Sequence, residues 1–214
     1  DAGAVVPILQ LLSAAALPAR AAAARALATM AAQLMGADGN ADAAAVLART
    51  ILDAEGATPL LAPLKVWDAT ATEVAEADAT AAAKQLAAET LRLIRHLSTS
   101  ETARRRLVHA GSVEALAEFL AAATAAANGG AAQPAEVLDA AASSLADQML
   151  DADGYAHLAD AGGLPALLTL LRSGMPVVSS AAARAIGFVA RDSAVVDAAV
   201  PVLVAALTKP RAPV

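Results

Sequence analysis

The chain of 214 residues contains no cysteine. This absence excludes disulfide bonds, thiolate ligands for metals and cysteine nucleophiles. Aromatic residues are also scarce, at 2 % of the chain, and aromatic and β-branched residues are the types that β-strands favour. The composition therefore argues against a fold built on β-sheets.

Alanine dominates what the chain does contain. Hydrophobic residues make up 58 % of the sequence although aromatic residues are few. Alanine-rich runs such as 21–24 and 121–127 account for much of this apolar character. Because alanine is the best helix former and its small side chain lets helices pack closely, the sequence predicts an all-α protein.

The charge balance and the distribution of proline bear on two classes of partner. The formal net charge is −6, whereas binding to nucleic acid phosphates requires a basic face. The longest early stretch without charge, Ala2–Ala19, contains Pro7 and Pro18, so it is better described as helix, turn and helix than as one membrane span. We expect neither nucleic-acid binding nor membrane insertion.

Reactive side chains do not form a pattern that is typical of an enzyme. His96, His109 and His157 are not spaced as metal ligands. The segment DGNAD at 38–42 begins like a calcium loop, but the twelfth position is Arg49 where glutamate is needed. No phosphate-binding glycine motif is present. The sequence therefore predicts no catalytic residue, no metal ligand and no cofactor, and hence a protein that is not an enzyme.

A repeated segment is the main organising feature. Three stretches of the chain are near-copies: DAGAVVPILQLL at 1–12, HAGSVEALAEFL at 109–120 and DAGGLPALLTLL at 160–171. Aligned on glycine, the pattern recurs at Gly3, Gly56, Gly111 and Gly162, with a weaker copy at 197–207. The strong copies are roughly fifty residues apart, and self-similarity at such a period is typical of a solenoid.

The unit around Gly162 indicates the helices most clearly. A first helix ends at the Ala-Gly pair, where glycine permits a left-handed cap. Pro165 stands in the first turn of a second helix, whose leucines follow the helical spacing i, i+3, i+4, i+7: Leu164, Leu167, Leu168 and Leu171. Pro176 opens a third helix. Each unit is therefore predicted to contain three helices, of which the first is short.

This pattern resembles the armadillo repeat family, in which an Ala-Gly-x-x-Pro segment joins the first and second helices. The resemblance is closest in 155–191 and 1–32, fair in 101–120 and loose in 41–98. It implies a right-handed α-solenoid of armadillo-like three-helix repeats over nearly the whole chain.

The repeat divides the chain into a single armadillo-like domain, 1–214, of several units. The predicted units are about 1–36, 41–99, 100–151 and 154–192, with a partial unit at 193–214. Two stretches exceed the usual unit, at 66–79 and 123–136, and we expect surface loops or partner-contacting elements there. Since neither terminus has the polar cap of a solenoid end, we expect the chain to be a section of a longer solenoid.

The resemblance also implies a binding surface, because armadillo third helices line a concave groove. Import adaptors of this family place tryptophan and asparagine there, four residues apart, to hold basic peptides. The corresponding pairs here are Arg25 and Thr29, Glu89 and Leu93, Ser143 and Asp147, and Arg184 and Phe188. No Trp/Asn pair is among them, which disfavours an import adaptor. Arg25 and Arg184 favour a groove for acidic or mixed partners, unless they only solvate an unused surface.

Further candidate binding residues lie outside these pairs. The basic run Arg104, Arg105 and Arg106 is either a solvated helix face or, with Arg92 and Arg95, a patch that attracts an acidic peptide. Trp67 begins the first insertion and is either an interface hot spot or a packing residue.

The sequence therefore favours a non-catalytic scaffold that binds other proteins, within a multi-protein assembly. The alternative is the substrate-recruiting arm of a larger enzyme such as a ubiquitin ligase, which flanking sequence would reveal. A cytoplasmic location is expected, with ciliary and nuclear locations left open.

Overall fold

The computed structural model describes residues 2–13, 16–36, 41–53, 56–65, 77–128, 135–150, 154, 157–158, 161, 163–172, 175–189, 200–201 and 204. Within this part of the chain the regular elements are all helices. They are α1 (Ala2–Leu12), α2 (Leu17–Gly36), α3 (Ala41–Asp53), α4 (Ala57–Lys65), α5 (Ala77–Ser98), α6 (Glu101–His109), α7 (Ser112–Asn128), α8 (Ala135–Gln148), α9 (Leu164–Leu171) and α10 (Pro176–Val189).

Helices that occupy the same place in successive units lie next to one another. The second helices α1, α4, α7 and α9 form one row of consecutive contacts, and the third helices α2, α5, α8 and α10 form another. The first helices α3 and α6 also pack together. Each row advances by one helix per unit, which is the geometry of a solenoid. The predicted all-α solenoid of three-helix repeats is confirmed.

Alanine and leucine together build the core between these rows. On α2 the buried residues include alanines at helical spacing, Ala21, Ala24, Ala28 and Ala31. On α8 the buried set includes Ala141, Ala142 and Ala146. Because alanine adds little bulk to a helix surface, neighbouring helices approach closely, and leucines such as Leu27 and Leu145 fill the remaining space.

The corner between the first and second helices of the third unit is formed as the sequence predicts. Gly111 has φ = 85°, a left-handed conformation that side chains other than glycine adopt at a cost of about 1–2 kcal/mol. Its N–H donates to the carbonyl of Val108, and the N–H of Ala110 donates to that of Arg106. These bonds satisfy carbonyls at the end of α6, so the chain turns directly into α7.

The two stretches predicted as insertions overlap the helices that flank them. Helix α5 begins at Ala77, helix α7 continues to Asn128, and helix α8 begins at Ala135. Residues 66–76 and 129–134 lie outside the described residues. The unit boundaries, including that of the partial fifth unit, stay a prediction.

Among the helices that the structure describes, none is both long enough and apolar enough to cross a membrane.

Candidate functional site

The third helices α2, α5, α8 and α10 each contribute one row of side chains to a common surface, which we call the third-helix face; most of these side chains are exposed, and Glu89 and Ser143 are buried in it. The side chains recur at spacings near i, i+3 and i+7, which bring them to one side of a helix. The third-helix face comprises Arg25 and Thr29 on α2, Glu89, Arg92, Arg95 and His96 on α5, Glu136, Asp139, Ser143 and Asp147 on α8, and Val177, Ser180, Arg184 and Phe188 on α10.

One carboxylate joins α2 to α5 on this face. Arg25 Nε lies 3.2 Å from Glu89 Oε1, and Arg92 Nη1 lies 3.5 Å from Glu89 Oε2. The Glu89 side chain is only 9 % exposed. Since burying a carboxylate is costly unless it is paired, both arginines stabilise Glu89, and Glu89 in turn fixes the positions of two guanidinium groups.

A series of ion pairs and hydrogen bonds joins α5, α8 and α10 on the same face. Arg95 Nη1 lies 3.1 Å from Asp139 Oδ2, and the hydroxyl of Ser143 donates to Asp139 Oδ1 at 3.2 Å. Arg184 donates through Nη2 to Ser143 Oγ at 3.2 Å and lies 4.0 Å from Asp147 Oδ1. Arg95 and Arg184 are therefore held over the same helix, α8, from opposite sides.

Burial shifts the pKa values of two ionisable groups in this region, Asp147 and His96. Burial raises the pKa of Asp147 above its ordinary 3.8, and the guanidinium groups of Arg184 and Arg95 oppose the shift. Burial lowers the pKa of His96 below its ordinary 6.5, and the charge of Arg95 lowers it further. His96 is therefore mainly neutral at neutral pH, and the positive charge of this region comes from arginine.

The arginine side chains of this face are more exposed to solvent than most of their carboxylate partners. The four arginines have side chains that are 49–56 % exposed, whereas Glu89 and Asp139 are 9 % and 15 % exposed. Glu136, 3.9 Å from Arg92, is the exception at 88 %. The formal charges of these arginines and carboxylates nearly balance, but the groups that reach solvent are mainly guanidinium groups.

Shallow depressions connect the rows of the third-helix face. One of about 680 Å³ lies between α2 and α5 and includes Arg25, Thr29 and Arg92 in its lining. A second, of about 530 Å³, extends from α5 over α8 to Val177 on α10. Arg92 and His96 line both depressions, so the two lie side by side and together reach from α2 to α10.

The structure brings together most of the predicted groove residues, with one correction. Arg25, Thr29, Arg92, Arg95 and Arg184 line the depressions, and Phe188 is exposed on α10. Leu93, which the alignment of third helices places at a groove position, is fully buried. Helix α5 packs against α2, α4 and α8, and this packing turns Leu93 inward and leaves Arg92 outward.

Two arginines of the basic run pair with residues of the first helices, and the charge of the third, Arg104, acts on Asp147 of the third-helix face and lowers its pKa. Arg106 forms an ion pair with Asp53 at the end of α3, and Arg105 Nη2 lies 2.7 Å from Glu101 Oε1 one turn earlier on α6. Arg104 donates to the carbonyl of Ser98 at 3.2 Å. Arg92 and Arg95 pair with acidic residues on α5 and α8, and the two alternatives for the basic run, a solvated helix face or one patch with these arginines, stay predictions. Trp67 lies outside the described residues.

Several residues of the face were missed from the sequence. Glu136 and Asp139 precede Ser143 at i−7 and i−4, so their helical spacing places all three on one side of α8. On α10, Val177 likewise precedes Arg184 at i−7. These residues can be identified in the sequence by extending each third helix two turns toward its N-terminus from the aligned pair.

A buried series of hydrogen bonds links α5, α7 and α8. Ser112 Oγ at the start of α7 donates to Gln148 Oε1 at 2.7 Å, and Gln148 Nε2 donates to Ser98 Oγ at 3.5 Å. All three side chains are fully buried. Since a buried polar group without a partner is costly, this series of hydrogen bonds fixes the ends of α5 and α8 relative to α7.

No group of three or more His, Asp or Glu side chains within the described ranges is arranged to hold a metal ion.

Comparisons with known proteins agree with the repeat. Residues 151–187 match the family model of the armadillo/beta-catenin-like repeat. An engineered protein, whose crystal structure comes from the Northeast Structural Genomics Consortium, shares 22 % identity with a TM-score of 0.59; the match covers 97 % of this chain and 90 % of that one. A designed armadillo repeat protein shares 18 % identity with a TM-score of 0.61, and the match covers 86 % of this chain and 63 % of that protein. No curated protein matches. At these identities the similarity shows the fold.

Proposed function

Because this chain has an armadillo-like fold, we propose that it is a non-catalytic scaffold that binds segments of other proteins along its third-helix face. The observation that carries this proposal is the row of adjacent depressions across α2, α5, α8 and α10, lined by half-exposed arginines. A cytoplasmic location and membership of a multi-protein assembly remain predictions.

The shape of the depression favours an extended partner segment. Neighbouring helix axes in packed helices are about 8–10 Å apart, so four third helices span roughly 24–30 Å. An extended chain advances about 3.3–3.6 Å per residue, so about eight residues would cross the face. A row of shallow depressions of this length offers contacts along a strand-like segment at each helix it crosses.

The arginines favour binding because their positions are already restrained. Glu89 holds Arg25 and Arg92 in place, while Asp139 and Ser143 hold Arg95 and Arg184. Immobilising a long side chain on binding costs about 0.5–1.5 kcal/mol. Part of that cost is already met in the unbound protein, so a partner gains more from each contact.

A library of random twelve-residue peptides, displayed and selected against the whole chain, tests the proposal. Bound peptides should lose their binding when tryptophan blocks the depression at Thr29→Trp or Ser180→Trp, two exposed positions on α2 and α10. Glu118→Trp, at an exposed position on the second helix α7, is the matched control and should bind as the unchanged protein does. Selected peptides that ignore both blocking substitutions would place binding elsewhere and overturn the proposal.

A further inference from the structure

The exposed chemistry of the third-helix face indicates which kind of segment it accepts. Around Glu89 and Asp139 a basic segment would meet guanidinium groups first, since these two carboxylates are mostly buried, whereas Glu136 is largely exposed. An acidic segment would meet donors that are already oriented. Arginine binds carboxylates through its planar fork, which adds geometric specificity to the charge interaction.

We propose that the partner segment is extended and acidic, with two carboxylate side chains about four residues apart. This inference rests on the proposed function, because it names the partner of that same surface. Two pairs of arginines, one between α2 and α5 and the other over α8, are the binding sites for the two carboxylates.

The first carboxylate site lies between α2 and α5. Arg25 engages Glu89 through Nε, and within the described part of the chain its two terminal nitrogens are left available. Arg92 stands on the other side of Glu89. Thr29 and Gln33 line the same depression. The two guanidinium groups share the internal carboxylate of Glu89, and Arg92 also lies 3.9 Å from the exposed Glu136. The donors kept for an incoming carboxylate are therefore mainly those of Arg25.

The second carboxylate site lies over α8, between Arg95 and Arg184. Both arginines line one depression with Asp139 and Ser143 between them. Arg184 is held through a neutral hydroxyl at 3.2 Å and by a carboxylate only at 4.0 Å. Its charge is therefore less completely neutralised than that of an arginine in a close ion pair. Val177 lines this depression too, so an apolar side chain next to the second carboxylate fits there.

The positions of the two sites give the spacing. The first site is centred midway between the axes of α2 and α5, and the second site is centred over the axis of α8. One and a half helix spacings separate them, or roughly 12–15 Å. An extended chain covers that distance in about four residues.

Fluorescence anisotropy with labelled synthetic peptides of twelve residues tests this inference on the whole chain. One peptide carries two glutamates four residues apart in a serine and glycine background. Its relatives carry the two glutamates side by side, two glutamines four apart, or two lysines four apart. The first should bind roughly tenfold more tightly than each of the others, the ratio expected when a hydrogen bond to a charged group is lost.

Variants of the protein identify the arginines that are responsible. Arg25→Gln and Arg184→Gln should each weaken binding of the glutamate peptide roughly tenfold. Arg49→Gln and Arg105→Gln are matched controls, since these exposed arginines on α3 and α6 also pair with carboxylates, and they should leave the affinity unchanged. Helical circular dichroism checks that each variant is folded, and Arg25→Lys, which keeps the charge but not the fork, provides a milder change.

Three results would overturn the inference. They are tighter binding of the lysine peptide, equal binding of adjacent and spaced glutamates, and equal losses in the control variants. If the display experiment selects peptides that the tryptophan substitutions block, but these peptides are not acidic, only the acidic specificity fails. If blocking has no effect, the proposed function itself fails.

Discussion

Arginine shows how the same residue type acquires different roles in this molecule. Arg49 and Arg105 pair with Asp53 and Glu101 one turn away on the same helix, and exposed pairs of this kind contribute only about 0–1 kcal/mol to stability. Arg25 pairs instead with a buried carboxylate on another helix. Removal of Arg25 would leave Glu89 more poorly compensated, so this arginine serves both the fold and the proposed binding surface.

His96 makes a residue-scale prediction about pH. Its pKa is lowered from 6.5 in the folded chain, mainly by burial, so the unfolded chain binds the proton more readily. The free energy of unfolding should therefore fall as the pH drops below 6.5 toward the folded pKa. Urea denaturation at pH 7.5 and 5.5 should show a smaller loss for His96→Gln than for the unchanged chain.

Comparing the His96→Gln variant with the unchanged chain isolates the contribution of His96 to the pH dependence of stability. The raised pKa of Asp147 acts with the opposite sign, since stability falls as the pH rises through 3.8 toward the folded value. Asp147 is common to both proteins, so its contribution cancels in their difference. Equal pH dependence of the two proteins would contradict the prediction.

The individual helices depend on their neighbours more than on their own sequence. Helix α9 has only 8 residues, and isolated helices shorter than about 12–15 residues are marginal in water. Proline in its first turn favours helix initiation. Its contacts with α7 and α10 bury Leu167, Leu170 and Leu171, and this packing stabilises the helix.

The two central leucines of α9 give a prediction at the scale of one element. Leu167 is fully buried, whereas Leu168 is half-buried. Leu167→Ala should lower the free energy of unfolding by about 2–5 kcal/mol, and Leu168→Ala by clearly less, because less apolar area is lost. Chemical denaturation measures both. A loss below about 0.5 kcal/mol for Leu167→Ala would mean that the helix faces the other way.

The whole molecule is coupled mainly between neighbouring units. Helix α7 contacts α4, α6, α8 and α9, whereas α2 contacts α1, α3 and α5. In a solenoid the stability is approximately a sum of unit terms and nearest-neighbour interfaces. A local loss of packing should therefore spread to adjacent units and weaken with distance along the stack.

Hydrogen exchange on Leu116→Ala tests this coupling. Leu116 lies fully buried on α7, so its truncation leaves a cavity in the third unit. Backbone exchange should become faster in α4, α8 and α9, with little change in α2. Uniformly faster exchange in every described helix would show instead that the molecule opens as one cooperative unit.

Local features of the chain were sufficient to predict the helices and their repetition. Alanine content, leucine spacing and the glycine corner act within a few residues of one another, so the all-α repeat was predicted correctly, and the left-handed cap is found at Gly111 but not at Gly56. The third-helix positions of Arg25 and Arg184 followed from the same period. These properties depend on dihedral preferences and on the side of a helix to which a residue points.

The pairings on the third-helix face depend on contacts between distant parts of the chain. Arg25 and Glu89 are 64 residues apart, and Arg184 and Ser143 are 41 apart. Helical periodicity shows which residues share a side of a helix, but it does not show which neighbouring helix covers that side. The packing of α5 between α2 and α8 therefore determines that Leu93 is buried, that Glu89 lies beneath two arginines, and that the guanidinium groups face the solvent.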